Sequence, residues 1–451
     1  MVHYTKLNRK LDKVFGGKVC AMLDRDVLYL TGELYNWEDI VRAGHMSVDK
    51  KKYTVVNDIR FLGGEIPHMK IPRIASNSLE GQKPDVLIIG GGIIGCAIAR
   101  ELVRYKLNVM LVEKEHALAL HASGRNDGII HPGMILKKEQ LMKKYYEAGS
   151  SMYPRICSEL DVKYRFSGQY LCFAQKYLRI AVFAFAFYCR KFKGISVEYI
   201  GRKKLAKIEP HLSNKVKCAL FFPNTGVVSP YDLTIAYAEN AADNGAKIHL
   251  DTAVISMNAE YGNISSVLTN HGRVFPKLVI NAAGVFSEDV ARLANDRFYS
   301  IHPKCGVIHT IEGNLLVDPD TFETYEKEKI STNQESIKVI MEKLRNSIPE
   351  FSEQEIITNF SGIRAATYEE DFIISFGKFT KNIIHAAGIQ LPGLTAAPAI
   401  AADVSKMAAE YLKAEYNFSY NPIRKAIVQT LDLSDLQRDA LIKAEEKNLS
   451  K

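Results

Sequence analysis

Three glycines and one acid have the types and spacing needed to hold a nucleotide by its phosphates and its ribose. They are Gly90, Gly92 and Gly95, which follow an apolar run, and Glu113, which comes 18 residues after Gly95. In such a turn the first glycine permits the bend, the second lets backbone approach a pyrophosphate, and the third lets the helix pack on the strand. An acid about 20 residues further on accepts a hydrogen bond from a ribose hydroxyl. The pattern predicts an adenine-dinucleotide site.

These residues need a strand, a helix and a second strand to position them. The apolar run before the glycines predicts the first strand, and a second apolar run ends directly before Glu113. The helix between them would offer free N–H groups and the positive end of its dipole to the phosphates. We therefore add Ile93, Ile94 and Lys114 to the predicted cofactor-binding residues. An ordinary glycine-rich turn between strand and helix is the alternative.

Composition indicates a globular protein with two or three domains. The chain has 451 residues, of which 47% are apolar and 24% charged. The net charge is +8, but the lysines form short clusters that are typical of solvated faces, so we expect no nucleic-acid partner. The positive balance would favour an anionic substrate or weak adhesion to acidic lipid, and a peripheral membrane contact stays open.

Cysteine usage and the apolar stretches bear on metal binding and location. The seven cysteines are an odd number without Cys-x-x-Cys spacing, so we expect no disulfide framework and no metal site. The N-terminus lacks the apolar core of a signal peptide. The strongest apolar stretch, Ile180 to Cys189, is too short to span a bilayer. We expect a cytoplasmic protein with no transmembrane segment.

Residues 1–80 precede the nucleotide motif and predict a small αβ module. Residues 27–33 and 53–59 alternate like strands, and residues 37–48 between them predict a short helix. This pattern resembles a BON-type module, a small fold used for phospholipid or protein contact. An accessory αβ domain with another role is the alternative. Residues 67–84, rich in Pro, Ser and Asn, predict a linker.

Three further segments accompany the nucleotide motif in a fixed order: Ser123–Gly133, Val279–Gly284 and Gly388–Ile400. With them the chain is similar to the FAD-dependent oxidoreductase family that includes D-amino-acid oxidase. It most resembles the branch that holds anaerobic glycerol-3-phosphate dehydrogenase and L-2-hydroxyglutarate oxidase. The resemblance implies an FAD cofactor and an α/β fold class: a Rossmann-like FAD-binding domain with a β-sheet-rich α+β substrate domain, preceded here by the N-terminal αβ module.

The resemblance also implies how the chain is divided after residue 80. The predicted parts are a discontinuous FAD-binding domain at 84–160, 225–300 and 355–415, a substrate domain at 161–224 and 301–354, and a charged tail at 416–451. The lysine-rich residues 320–350 predict an exposed helix.

Two residues take catalytic roles in the resemblance. His131 stands where the branch has a histidine beside the isoalloxazine, a candidate to take a hydroxyl proton. Arg364, at the family's Gly-x-Arg position, would clamp a carboxylate or phosphate. A structural histidine and a surface salt bridge are the alternatives. The predicted cofactor contacts in these segments are Ser123, Gly124, Asn126, Ala283, Gly284, Gly388, Gly393, Leu394 and Thr395. Outside these segments, the backbone around Val254 is predicted to lie against adenine.

The chain departs from the branch pattern in its substrate half. About twenty residues of sheet are missing after Gly306, Asp318 replaces a glycine, and Leu391 replaces a serine. No cysteine cluster follows the flavin domain, so an iron–sulfur centre would have to come from a partner protein, with a quinone or oxygen as the other acceptors. The intact nucleotide half predicts flavin binding, while the trimmed half leaves the substrate open.

The predicted function is hydride transfer to FAD from a small anionic 2-hydroxy acid or from glycerol 3-phosphate. Arg364 would hold the anion and His131 would assist deprotonation. Two alternatives are an enzyme that oxidises amines or amino acids on the same fold, and a non-catalytic flavin-binding subunit or degraded paralogue.

Overall fold

The N-terminal part of the chain forms the expected αβ module. The computed structural model of the protein describes residues 2–132, 141–311, 315–332, 334–350 and 356–424. The elements of the module are β1 (Val2–His3), α1 (Thr5–Phe15), β2 (Val19–Asp24), β3 (Val27–Leu34), α2 (Trp37–Met46) and β4 (Thr54–Phe61). The sheet has the order β1-β2-β3-β4, and only the pair β3–β4, which α2 connects, is parallel. The BON-like role of the module stays a prediction.

The module is docked on the rest of the chain through β4. The Asn57 backbone N–H donates to Ser300 Oγ at 3.0 Å, and its side-chain amide donates to Tyr368 Oη at 2.8 Å. The Val55 N–H donates to the Glu369 carboxylate at 2.7 Å. Tyr368 is buried in the apolar core of the module, so the module and the following domains share side chains at their boundary.

The remaining elements follow in chain order. Before residue 133 they are β5 (Val86–Ile89), α3 (Ile93–Leu102), β6 (Val109–Val112) and β7 (Ile129–Ile130). From residue 141 they are α4 (Leu141–Glu159), β8 (Tyr164–Phe166), β9 (Gln169–Phe173), α5 (Arg179–Lys193), β10 (Glu198–Gly201), α6 (Arg202–Ile208), β11 (Cys218–Phe222) and β12 (Gly226–Val228). From residue 230 they are α7 (Pro230–Asp243), β13 (Lys247–His249), β14 (Val254–Glu260), β15 (Asn263–Thr269), β16 (Gly272–Val274), β17 (Leu278–Asn281), α8 (Ser287–Leu293) and β18 (Ile301–Ile311). The last are β19 (Leu315–Glu323), α9 (Gln334–Ser347), β20 (Ile356–Thr367), β21 (Ile373–Phe376), β22 (Ile383–Ala387) and α10 (Gly393–Leu412).

The central sheet carries the nucleotide motif. Its described strands have the order β13-β6-β5-β17-β22-β21, all parallel except β21. Alternate residues of β5 and β6 pack on α3, α7 and α10 on one face and on the sheet β14-β15-β16 on the other. Burial on both faces explains why these strands are continuous apolar runs. Because the carboxyl ends of parallel strands meet at one edge, Gly90 and Glu113 come together there.

The segments predicted for the substrate domain lie in further antiparallel sheets of the described residues. Their orders are β10-β11-β9, β7-β12-β8 and β19-β18-β20. β18 pairs with β20 over its whole length. The predicted domain boundary at residue 355 therefore falls between two strands of one sheet, and we propose to group β20 with the substrate half. The predicted fold class, a parallel Rossmann-like sheet with antiparallel sheets, is confirmed.

One prediction about an element is wrong. Residues 320–350 were expected to be helical throughout, but β19 continues to Glu323 and the helix α9 covers only Gln334–Ser347. Lysine-rich composition does not separate an edge strand from an exposed helix, because both present charges to solvent. Gly133 and the tail from residue 425 lie outside the described residues, as does the side chain of Asp318.

The cysteines and the helices were the basis of the expectations about disulfides and transmembrane segments. All seven cysteines are free thiols, five of them buried. Among the described helices, none combines the length and the apolar character that crossing a bilayer requires.

Candidate active site

The turn between β5 and α3 is closed too tightly to admit side chains. Gly90 has a φ of +113°, and a Cβ there would lie 2.4 Å from the carbonyl oxygen of Ala282. A Cβ on Gly95 would lie 1.9 Å from the carbonyl oxygen of Gly90. The first turn of α3 therefore packs directly on the loop, which needs glycine at both positions.

A distant loop reaches the N-terminus of α3. The N-cap residue Gly92 has no side chain, and Ser123 Oγ instead accepts the N–H of Ile93 at 2.9 Å. Asn126 holds this loop, because its Nδ2 donates to the Ser123 carbonyl at 2.7 Å and its Oδ1 accepts the Gly128 N–H at 3.0 Å. A hydroxyl and backbone groups thus surround a helix N-terminus, the kind of place where proteins bind phosphate.

The carboxylate of Glu113 is buried at the end of β6. It accepts the N–H of Gly91 at 2.6 Å and the N–H of Glu115 at 2.9 Å. An ionised carboxylate has about four lone-pair sites, so two remain for further donors such as ribose hydroxyls.

Lysines flank an aromatic ring near the same end of the cleft. Lys114 and Lys327 each place Nζ 5.4 Å from the ring centre of Phe286. Burial alone would lower the pKa of Lys114, but its hydrogen bonds to Glu115 and Glu328 outweigh burial and raise that pKa above its usual value. Lys114 is therefore an ammonium ion held by carboxylates.

His131 lies at the opposite end of the predicted set. Its backbone N–H donates to Thr395 Oγ1 at 3.2 Å. Its Nε2 atom is buried and has no hydrogen-bond partner among the described residues. Burial lowers the pKa of His131 below its ordinary 6.5, although the charge of Asp127 and the nearby Gln169 act in the other direction. The imidazole is therefore neutral at pH 7 and able to accept a proton.

Arg364 belongs to β20 and lies against β18. A Cβ added to Gly306 would lie 3.0 Å from a terminal nitrogen of the Arg364 guanidinium, so the two are in contact. Gly306 is paired in register with Gly362, whose own missing side chain gives room to the loop carbonyl of Arg125. The absence of a side chain at Gly306 therefore leaves room for the guanidinium.

The helix α10 begins at the same wall of the cleft. Its first residue is Gly393, and the hydroxyl of Tyr153 donates to the carbonyl of Leu394 in its first turn. A Cβ on Gly149 of α4 would lie 2.2 Å from the carbonyl oxygen of Thr395. Close packing of α4 thus fixes the first turn of α10.

The predicted residues converge on one cleft with about 1780 Å³ of empty space, including its opening. Sixteen of the nineteen line it: Gly90, Gly92, Ile93, Ile94, Glu113, Lys114, Ser123, Asn126, His131, Val254, Ala283, Gly284, Arg364, Gly393, Leu394 and Thr395. The other three, Gly95, Gly124 and Gly388, lie behind this lining. Gly124 donates its N–H to the Ala119 carbonyl at 2.9 Å, and Gly388 packs beside Thr367.

Several lining residues were not predicted from the sequence. Met69 comes from the predicted linker, and Phe286 and Lys327 form the aromatic and charged rim. Gly306 lies against the arginine, and Gly362 lies against the Arg125 loop. Gly306 and Gly362 could have been predicted if the pairing of β18 with β20 had been known. For Met69 no local pattern pointed to the cleft.

The fold and this cleft define a dinucleotide-binding protein of the Rossmann class, with its site at the carboxyl ends of parallel strands. The model of the family described as "FAD dependent oxidoreductase" (DAO) matches residues 85–312 and 300–407. The chain belongs to this family of flavin-dependent oxidoreductases.

Similar proteins include a dehydrogenase and an oxidase of glycerol 3-phosphate and a dehydrogenase of L-2-hydroxyglutarate. The glycerol 3-phosphate dehydrogenase of Caloramator mitchellensis is 32% identical over 80% of this chain and 82% of its own length. The glycerol 3-phosphate oxidase of Mycoplasma pneumoniae is 27% identical over 75% of this chain and 98% of its own length. The L-2-hydroxyglutarate dehydrogenase of Caenorhabditis briggsae is 32% identical, but over 48% of this chain and 51% of its own length.

A solved structure shares the fold. The dithionite-reduced L-α-glycerophosphate oxidase of Mycoplasma pneumoniae with FAD bound superposes with a TM-score of 0.71 at 23% identity, over 76% of this chain and 98% of that one.

Proposed function

We propose that this protein binds FAD and oxidises glycerol 3-phosphate, or a closely similar small anionic alcohol, at a CH–OH group. One observation carries the proposal: a buried imidazole nitrogen of His131, without a hydrogen-bond partner in the described part of the chain, and the guanidinium of Arg364 line the same cleft as the nucleotide motif. A base and a cation in one cleft are what deprotonation of an anionic alcohol requires.

The residues of the cleft fit FAD along its length. Gly92 and Ser123 would surround the pyrophosphate at the N-terminus of α3, and Glu113 keeps lone pairs for the ribose. At the other end, α10 begins at Gly393 with the positive end of its dipole at the cleft, where it would stabilise negative charge on a reduced flavin ring. When bound, FAD would supply the hydride acceptor.

The protein's own side chains would bind the substrate and move its proton. Arg364 would pair with the phosphate through two parallel N–H bonds and so fix the orientation of the carbon chain. His131 Nε2 would take the hydroxyl proton as the hydride leaves the carbon that bears this hydroxyl group. Burial favours the neutral imidazole that this step needs, and Thr395 holds the backbone of His131 in place.

Coverage of the relatives favours a phosphate ester over a 2-hydroxy acid. The glycerol 3-phosphate relatives align over at least three quarters of this chain, whereas the L-2-hydroxyglutarate relative aligns over about half.

Anaerobic reduction of the bound flavin by a panel of substrates tests the proposal. Glycerol 3-phosphate should bleach the flavin absorbance, while L-2-hydroxyglutarate, glycine and L-proline should not. Arg364→Met should raise the half-saturating concentration of glycerol 3-phosphate about 100-fold, since an anion left without its cation loses roughly 3 kcal/mol. Arg42→Met, a change at an exposed arginine on α2, is the matched control and should leave that concentration unchanged.

Other outcomes would contradict the proposal in distinct ways. Bleaching by an amino acid with release of ammonia would indicate oxidation of a C–N bond. A flavin that dithionite reduces and no substrate of the panel reduces would indicate a non-catalytic flavin-binding protein. Protein that takes up no FAD would contradict flavin chemistry altogether.

A further inference from the structure

The helix α5 (Arg179–Lys193) is apolar on the side that faces solvent as well as on the side that faces the protein. Val182, Ala186 and Cys189 recur every three or four residues and pack on the sheet β10-β11-β9. The helix α6 packs on the opposite face of that sheet. This single apolar stripe is enough to hold α5 against the sheet. An ordinary surface helix would be polar on its remaining sides.

The rest of α5 carries large apolar side chains that are exposed. They are Ile180, Phe183, Phe185, Phe187, Tyr188 and Phe192. Ile180 is 82% exposed and Phe192 is 64% exposed. Contiguous apolar surface of this kind marks a site of interaction with a protein or a membrane.

The charge around this helix has one sign. Residues 162–197 contain seven Lys and Arg and no Asp or Glu. The wider segment 161–224 has thirteen Lys and Arg and three Asp and Glu, which gives it a net charge of +10, whereas the whole chain carries +8. The net positive charge of the protein is therefore concentrated in the part of the chain that contains α5.

The lysines of α5 lie over its aromatic rings. Lys191 Nζ is 5.5 Å from the ring centre of Phe187 and 5.7 Å from that of Phe192, and Lys193 Nζ is 5.9 Å from that of Tyr188. Aromatic rings with adjoining ammonium groups are suited to the lipid headgroup region, where one end of each side chain meets the acyl chains and the other meets phosphate.

We propose that α5 docks this protein on the surface of an anionic phospholipid bilayer. The helix would lie in the plane of the interface, with its exposed aromatic residues among the headgroups and its lysines on the lipid phosphates. Its fifteen residues are too few to cross the hydrocarbon core. Self-association through the same face would bring two segments of charge +10 together, which like-charge repulsion opposes. The proposal does not depend on the substrate.

Flotation of the full-length protein with vesicles tests this docking. The protein should float with vesicles of 70% phosphatidylcholine and 30% phosphatidylglycerol and stay at the bottom with pure phosphatidylcholine. Lys191→Glu with Lys193→Glu should weaken binding at least 25-fold, since each cation near an anionic surface contributes about fivefold. Phe183→Ser with Phe187→Ser, two changes at exposed rings, should weaken it at least tenfold.

Matched charge changes on the other face of the sheet serve as the control. Lys203→Glu with Lys207→Glu on α6 changes the net charge equally, and this variant should retain binding within about threefold. Equal loss in the α5 and α6 charge variants would overturn the assignment to α5, as would unchanged binding in the serine variant. Failure of the unmodified protein to float with anionic vesicles would overturn the proposal. A dimer in solution that the serine substitutions dissociate, without an effect on flotation, would assign the face to self-association instead.

Discussion

Replacement of Gly95 by alanine tests how the α3 turn holds its ligand. The added Cβ would lie 1.9 Å from the carbonyl oxygen of Gly90, whereas real Cβ contacts do not fall below 3.0 Å. The helix must therefore retreat from the loop by at least about 1.1 Å, the difference between these distances. A shift of that size takes the N-terminal amides of α3 out of hydrogen-bonding range of a phosphate, and one or two bonds to a charged group are worth about 3 kcal/mol. The FAD dissociation constant should rise about 100-fold.

Titration of the apoprotein with FAD, followed by quenching of flavin fluorescence, measures this change. Urea unfolding of the same samples separates affinity from stability, because overpacking alone costs about 1–3 kcal/mol. Gly201→Ala is the matched control: Gly201 is a glycine at the start of another helix, α6, and a Cβ there would come no closer than 3.7 Å to a neighbouring atom. This control should bind FAD like the unmodified protein.

Two results would refute the reasoning about Gly95. If Gly95→Ala bound FAD with the original affinity, the close approach of helix and loop would not position the phosphate site. If both alanine variants lost affinity equally, the loss would reflect a general intolerance of alanine at helix starts rather than the contact with the Gly90 carbonyl.

Other predictions concern the base, the ribose site and the arginine. The neutral form of His131 is the base, and its pKa is lowered from 6.5. We therefore expect kcat/KM for glycerol 3-phosphate to fall as the pH drops through a value below 6.5 and to stay constant between pH 7 and 8. The pH profile of flavin reduction measures this dependence. Glu113→Gln removes one of two acceptor oxygens that bind backbone N–H groups, so FAD affinity should fall about tenfold in the same titration. Gly306→Ala should displace the Arg364 guanidinium and raise KM about tenfold with little change in FAD affinity, as steady-state kinetics and FAD titration would show.

The nucleotide half could be predicted because its determinants are local. Gly95 packs against the carbonyl oxygen of Gly90, five residues away, and the strand that ends before Glu113 is an uninterrupted apolar run. The small residues Ala283 and Gly284 also come soon after such a strand, with only Ala282 between. Each of these positions follows from one strand and one turn, so periodicity and spacing contain the information.

The substrate half could not be predicted in the same way, because its contacts are distant in sequence. Phe286 and Lys327 meet at the rim although 41 positions separate them. Gly306 and Gly362 face each other only because β18 pairs with β20. Met69 reaches the cleft from a segment without helix or strand. Strand pairing at long range fixes these positions, and a single sequence carries no periodicity that reveals it.

The N-terminal module covers one face of the sheet that carries Arg364. Val27 of β3 and Val56 of β4 share one buried cluster with Cys305 of β18 and Ile363 of β20. His45 of α2 meets His302 of β18 edge to face, with ring centres 4.9 Å apart. Without the module, the face of the sheet β19-β18-β20 that carries these side chains would be an exposed apolar surface, and the sheet would lack the rigid support that a binding site needs. Here the module covers that face, and Ile363 is the residue directly before Arg364. The module therefore supports the strand that carries the arginine, which favours a working site over a degraded one.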